Sequence, residues 1–448
     1  MIKSIKNFNF KHADSNFDDY IIKYQKLERG LTRFASNMLT QNIVQEKDSI
    51  IFTGYKDRKK ITLSTNNTTT EGINDLLART QEMLKYSLED LEYVPSYDGS
   101  ENNENEVSNE VSNEVTTDKA SEKDEQEKFL RMKMVGAALS KVRTDANSPL
   151  NLNISGTAES AKQFVAVATK NGARRFLKRS FAEYSNTIEY AGERAALKMS
   201  CNKETDIDYL NVFDSALEDV KLIVKKGKRS FDPGRYDVLL SSRATSDFMG
   251  VLFSYGLDRR SYDEGHSPLV GKIKSKIADS SISIYTDPLS SKLSSANFTS
   301  EGRPIKKHYF IKDGILEDLP TSPFWANKNN LKEWSMGNII WEDNNIFEKD
   351  LLKQIKRGFY IKEFWYIRMV RKNDFTLTGM TRNGIFYVED GEIVSSSNHF
   401  RWNESPLSVL NRIVAFSKGY ERRSFGGFDN YFPAILVKDF YLSSKTGF

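Results

Sequence analysis

Apolar positions in this chain alternate over short runs between turn dipeptides, and the densest pattern lies near its end. Residues 359–406 read FYIKEFWYIRMVRKNDFTLTGMTRNGIFYVEDGEIVSSSNHFRWNESP. Asn383-Gly384 and Asp390-Gly391 each supply two residues that tolerate positive φ, as a two-residue type I′ hairpin requires. The spacing predicts an antiparallel meander with strands at 375–380, 385–388 and 392–395. The strand before it, 360–370, carries Phe364, Trp365, Tyr366 and Ile367 in succession. Apolar side chains on both faces predict a strand buried from both sides.

Upstream, residues 19–47 read as a helix running into Leu31-Thr32-Arg33-Phe34-Ala35, followed by strands at 49–54 and 59–64. A helix is predicted over 72–88, where Ile73, Leu76, Leu77, Thr80, Leu84 and Leu88 fall near a 3.6 period. Further helices are predicted at 125–142 and 214–226. Between them, 163–169 and 173–183 form a hairpin across Lys170-Asn171-Gly172. After the breaker Asp232-Pro233-Gly234 come a strand at 236–240 and a helix to Tyr255, capped by Ser241 or Ser242. A second hairpin, 307–311 with 315–319, turns at Asp313-Gly314, and helices at 348–357 and 406–417 flank the meander.

The predicted fold class is α+β. A small N-terminal α/β domain spans 1–98, a middle hairpin-plus-helix region 128–231, and a mostly antiparallel, half-barrel-like β domain with flanking helices 232–448. Between the first two lies 99–127, which contains a tandem VSNE-VSNE-V and almost nothing to bury, so it reads as a disordered acidic insertion. Such an insertion is tolerated without any function, because loop closure costs only about 0.6 kcal/mol per doubling of length. A partner-binding or autoinhibitory arm is the alternative.

Composition narrows the class. The 448 residues predict two or three domains, and 39% apolar content with 12% aromatics suffices for a sizeable core. Mean hydropathy is −0.55 and no 18-residue apolar run is present, so no membrane helix is expected. The first 20 residues mix charges and lack an apolar stretch, unlike a signal peptide. One cysteine, Cys201, excludes an intrachain disulfide and fits a cytoplasmic location. With no histidine near it in sequence, Cys201 reads as a buried thiol before a nucleophile. Ten acids and two lysines between Glu101 and Glu127 turn the net charge of +4 into about +12 for the remainder. That field suits acidic peptides or nucleic acid, although a solvated lysine-bearing surface is the simpler reading.

Several motifs invite chemistry and carry little. Gly265-His266-Ser267 starts like a G-x-S-x-G elbow, but Leu269 stands where the second glycine is needed for the tight turn. The acid pairs Asp206/Asp208 and Glu342/Asp343 suit a hard cation or, more simply, solvated loops. The aromatic-basic run 364–368 suits base stacking, yet its aromatics fall on both faces as core residues do. Arg382, Arg401 and Arg412 read as surface charges. Arg401-Trp402-Asn403-Glu404-Ser405-Pro406 reads as helix capping and loop anchoring or as part of a cavity or interface, with Arg401, Asn403 and Glu404 the interface candidates.

Taken in order, a set of short motifs resembles the TldD/PmbA family, two-subunit proteases that trim modified peptides. They are Thr32-Arg33-Phe34-Ala35, Pro233-Gly234-x-Tyr236-x-Val238-Leu239-Leu240, Asp287-Pro288, Glu301-Gly302-Arg303-Pro304, Lys312-Asp313-Gly314-Ile315-Leu316, Thr378-Gly379, and the run from Gly384 to Ile393. The resemblance covers nearly the whole folded chain. Catalytic members carry HExxxH on the helix after the 236–240 strand, with two imidazoles for zinc and a glutamate to activate its water. Here that helix reads SRATSDFMGVLFSYG, with Gly250, Val251 and Tyr255 near the ligand positions and neither histidine nor glutamate anywhere. The four histidines, His12, His266, His308 and His399, are scattered, and the family's C-terminal cysteine ligand is missing.

The resemblance therefore implies a metal-free subunit of the PmbA/TldE type, with no catalytic or metal-binding residue in this chain. It implies a heterodimer with an HExxxH metalloprotease subunit that carries the zinc. The two C-terminal sheets would enclose a chamber in which an extended peptide binds as an added strand. Candidate wall residues are Phe375, Thr376, Leu377, Thr378, Gly379, Ile385 and Tyr387. No membrane or nucleic-acid partner is expected. A homodimer, or a self-associating regulatory protein without proteolytic role, is the alternative.

Overall fold

The computed structural model describes residues 8, 10–100, 120–144, 151–423 and 428–447. The first half is built on six strands: β1 (Asp19–Ala35), β2 (Met38–Lys56), β3 (Lys59–Thr65), β4 (Asn153–Thr169), β5 (Arg174–Tyr190) and β6 (Glu193–Cys201). They form one antiparallel sheet in the order β3-β2-β1-β4-β5-β6. Because β1 pairs with β4, the segments on either side of the acidic insertion share this sheet. Four helices cover one face: α1 (Phe10–Asn16), α2 (Thr70–Leu84), α3 (Ala120–Thr144) and α4 (Tyr209–Lys226). Their apolar stripes meet alternate strand residues. Ile73, Leu76 and Leu77 pack with Tyr20, Ile22, Tyr24 and Phe52, while Phe213, Ala216 and Val220 pack with Phe34, Ile154 and Tyr184.

The helix expected at 19–47 is instead the β1–β2 hairpin. Lys, Gln, Glu and Leu suggest helix here, but pairing with β2 on one side and β4 on the other overrides that propensity. The turn is Ser36-Asn37, both with positive φ (50° and 61°), a pair less conspicuous than Asn-Gly. Helix α3 starts at Ala120, five residues before the expected 125. Of the insertion expected to be disordered, residues 101–119 lie outside the described residues, and 120–127 are helical backbone.

The second half contains β7 (Lys228–Arg229), β8 (Gly234–Leu240), β9 (Ile284–Thr286), β10 (His308–Lys312), β11 (Ile315–Leu316), β12 (Ile339–Trp341), β13 (Arg357–Arg371), β14 (Thr376–Glu389), β15 (Glu392–Ser397), β16 (Phe400–Glu404), β17 (Ile413–Arg422) and β18 (Asn430–Lys445). They form a twelve-stranded, mostly antiparallel sheet in which β8 lies between β18 and β13. The helices are α5 (Ser242–Tyr255), α6 (Arg259–Asp263), α7 (Pro323–Asn329), α8 (Glu348–Leu352) and α9 (Pro406–Leu410). The fold is α+β, with the large sheet in the C-terminal half.

The meander differs from its expected form in one turn. Asp390-Gly391 (φ 48° and 81°) does join β14 to β15. Asn383-Gly384 makes no hairpin, because β14 runs through it. The pair (φ 53° and 128°) instead bulges the strand where pairing passes from Ile361↔Ile385 to Glu363↔Arg382, and Asn383 Nδ2 donates to Glu363 at 2.6 Å. β13 is buried only as far as Phe364; beyond it Trp365, Tyr366, Met369 and Val370 are exposed. Both flanking helices are shorter than expected, since β13 takes over at Arg357 and β17 at Ile413.

Candidate functional site

The β8–α5 unit contains the helix at which the family resemblance implies a metal in catalytic members. Ser241 sets the helix in position. Its Oγ accepts from the Ala244 N–H at 3.1 Å and donates to the Lys362 carbonyl at 2.6 Å, fastening the start of α5 to β13. Ala244, Thr245, Phe248, Met249, Leu252 and Phe253 face the core, where Phe248 meets the Trp402 indole edge to face at 5.3 Å. The opposite flank of α5 is anchored by two ion pairs, Arg243–Glu363 and Asp247–Arg422, each at 2.5 Å.

Gly250, Val251 and Tyr255 lie on or beside that outer flank. A Cβ added at Gly250 would meet nothing within 4 Å, and Tyr255 is 78% exposed. A glycine, an aliphatic residue and a phenol do not match the nitrogen and carboxylate donors that zinc takes. The residues present at this place therefore do not fit the metal.

The other candidate groups stand apart. His12 contacts Asn16 within α1, His266 is exposed 3.9 Å from Glu264, and His308 stacks on Trp334 at 4.0 Å. His399 faces Thr381 Oγ1 at 3.1 Å, and burial, with Lys228 and Arg382 nearby, pushes its pKa down to about 4. Cys201 ends β6, donates to the Lys203 carbonyl and is pushed up to about 11, chiefly by burial. That is the signature of an inert thiol. Asp208 caps α4 by accepting from the Asn211 N–H at 3.0 Å. Asp343 is occupied by Lys292, the Tyr431 hydroxyl and the Gly419 N–H. Burial opposes its ionisation, but these partners outweigh it and hold the carboxyl below its ordinary range. Among the described residues no group of three or more His, Cys, Asp or Glu converges as a metal site.

Of the wall candidates, Phe375, Leu377, Ile385 and Tyr387 are buried in the C-terminal core, and Gly379 lies under the Trp402 indole. Thr376 and Thr378 are half-buried; Thr378 Oγ1 donates to the Trp402 carbonyl at 3.0 Å. β14 has strand neighbours on both sides, β13 on one and β15 and β16 on the other, so its main-chain groups are used inside the sheet. Arg401 is exposed and Asn403 half-buried opposite Thr378. Glu404 is buried, gripped by Arg412 and by the Tyr441 N–H at 2.7 Å. Arg412, expected as a surface charge, is thus a structural clamp. Ser405 precedes α9, but its hydroxyl anchors the Asp374 carbonyl at 2.6 Å instead of capping the helix.

One polar cluster had no signal in the sequence. Tyr360 Oη donates to Glu348 at 2.5 Å, and Lys362 pairs with Asp219 of α4 at 3.0 Å, so groups from both halves of the chain meet there. Burial raises the Glu348 carboxyl and pushes the Tyr360 phenol well above its ordinary value.

Residues 233–444, which contain the β8–α5 unit and most of the large sheet, match the family described as PmbA/TldA metallopeptidase C-terminal domain. Solved structures share the fold over nearly the whole chain. TldE from Thermococcus kodakarensis superposes with a TM-score of 0.81 at 15% identity, covering 98% of this chain and 99% of its own. Two proteins described as candidate modulators of DNA gyrase are also similar. The one from Thermotoga maritima has a TM-score of 0.77 at 18% identity, covering 97% of this chain and 98% of its own. The one from Bacteroides thetaiotaomicron has 0.79 at 14%, covering 98% of each. No curated protein matches the sequence. No helix among the described residues is long and apolar enough to cross a membrane.

Proposed function

We propose that this chain is the non-catalytic partner subunit of a TldD/TldE-type zinc metalloprotease that trims or degrades unfolded or modified peptides in the cytoplasm. The observation that carries the reading is α5. It holds the place of the metal-binding helix, fixed by the Ser241 cap and two ion pairs, and bears Gly250, Val251 and Tyr255 where ligands would be required. The scaffold is kept and the donors are replaced. The partner supplies zinc and the activated water. This chain supplies part of the peptide chamber and the subunit interface.

Within that chamber the half-buried face of β14, with Thr376 and Thr378, is the wall this chain contributes. Arg401 and Asn403 on neighbouring β16 have side chains left for contacts across the interface. Co-purification tests the assembly: an HExxxH relative encoded by the same genome, co-expressed with this chain, is expected to elute with it. Separate elution of two folded proteins contradicts the reading.

A further inference from the structure

At the far end of β13 the strand breaks its alternation and turns two aromatic rings outward. Pairing with β14 slips between Trp365↔Met380 and Arg368↔Thr378, which leaves Tyr366 and Ile367 against the single residue Gly379. Tyr366 takes a φ of 56°, a left-handed conformation in which a bulky side chain is strained. The bulge sets its ring 5.6 Å from that of Trp365, although neighbours on a regular strand point to opposite faces. Trp365 is 40% exposed and Tyr366 54%. Each carries a guanidinium: Arg382 lies 4.2 Å from the Trp365 centroid, and Arg368 4.4 Å from that of Tyr366. Thr378, Met380 and Arg382 alternate on one face of β14, and the register sets Trp365 and Arg401 beside Met380 and Arg368 beside Thr378. The backbone positions of Arg382 and Arg368 are thus two alternations apart, roughly 14 Å along the strand, with Arg401 between them. The acids of these segments are engaged elsewhere, Glu363 by Arg243, Asp374 by Arg371 and Glu404 by Arg412. Arg368, Arg382 and Arg401 are exposed, and none has a carboxylate partner among the described residues.

We infer that this face binds acidic segments of an extended peptide, with carboxylates on alternate residues meeting Arg382 and Arg368, and Arg401 adding to the field between them. A guanidinium held flat on a ring keeps N–H donors at its edges, and these fit a carboxylate in pairs. An extended peptide repeats its side chains on one face at the two-residue spacing of β14 itself. The main chain of β14 is used within the sheet, so recognition here runs through side chains. A single-stranded nucleic acid fits less well, because each ring has one face under a guanidinium and a side turned to the other ring, which leaves little surface for a base to stack on. The inference deepens the partner-subunit reading and rests on it for its consequence, a preference for acidic segments among the peptides trimmed. Binding itself needs this chain alone.

Fluorescence anisotropy of the full chain with a dye-labelled peptide of alternating Glu and Thr tests it, beside the same peptide with Gln for Glu. The acidic peptide is expected to bind about tenfold more tightly or better. Arg368→Gln with Arg382→Gln should abolish that preference; both side chains are exposed, so the urea transition should be preserved. Removing two charges elsewhere, by Arg58→Gln with Arg79→Gln, should leave it intact. An oligothymidylate of equal charge should bind more weakly than the acidic peptide. Cleavage of both peptides in the presence of the HExxxH relative separates this inference from the reading it rests on. Tight binding of the acidic peptide with no cleavage of either would contradict that reading and support the site, whereas cleavage of both at equal rates would do the reverse. Equal binding of the two peptides, a preference that survives the paired glutamines or falls equally with Arg58 and Arg79, or tighter binding of the oligonucleotide would each overturn the inference.

Discussion

Arg412 holds Glu404 through both ends of its guanidinium, with Nη2 2.5 Å from Oε2 and Nη1 3.2 Å from Oε1. The carboxylate also accepts from the Tyr441 N–H, and Arg412 donates to the Asp439 carbonyl, so one pair ties β16 and the segment after α9 to β18. Planar, bidentate pairing is what arginine provides and lysine does not.

Removing this cation leaves a buried carboxylate with only the more exposed Arg235, 3.8 Å away, as counter-charge. Arg412→Ala should destabilise the chain by about 3 kcal/mol, and Arg412→Lys should recover only part of this. Urea unfolding of the wild type and both variants measures it. Equal stability of all three would show that Glu404 does not need the clamp.

His399 makes stability depend on acid. Its pKa falls from 6.5 to about 4 in the fold, chiefly through burial, so the unfolded chain binds the proton more readily. The stabilisation is complete above pH 6.5 and is lost as the pH drops towards 4, by up to about 3 kcal/mol. His399→Gln should flatten that part of the stability curve relative to wild type. Parallel curves for the two proteins over this window would contradict it.

Tyr360 and Glu348 carry a coupled prediction. Tyr360→Phe removes the donor to a buried carboxyl and should cost about 1–3 kcal/mol. The raised Glu348 carboxyl favours the fold while protonated, so its contribution falls as the pH rises above the ordinary carboxyl value of 4.5. Glu348→Gln should therefore gain on the wild type with rising pH. A double-mutant cycle yielding no coupling would separate the two residues.

Gly379 is small because Trp402 lies against it. A Cβ there would collide with the indole, and Trp402 is fully buried between Phe248, Phe364 and Phe440. Gly379→Ala should cost about 1–3 kcal/mol through overpacking. Tryptophan fluorescence during unfolding reports it.

What the sequence discloses here is local. Asp232-Pro233-Gly234, the Ser241 cap and the 3.6-period of 242–255 mark the β8–α5 unit without any neighbour. Hence the β8–α5 unit, on which the proposed function rests, is legible in the sequence. Asp390-Gly391 and Asn383-Gly384 look alike in sequence and differ in outcome, because β13 pairs with β14 on both sides of Asn383-Gly384. β1 reads as helix until β2 and β4 are seen on either side of it. Pairings such as Glu404–Arg412 and Glu348–Tyr360 join residues that no periodicity links. They depend on how strands and short helices meet in space.

Cleavage of an unfolded peptide by this chain and its HExxxH relative, each alone and then mixed, tests the central claim most directly. The account predicts cleavage that requires both proteins and vanishes when the glutamate of the relative's HExxxH is replaced by glutamine. Cleavage by this chain alone, or by the relative at an unchanged rate without it, would contradict the account.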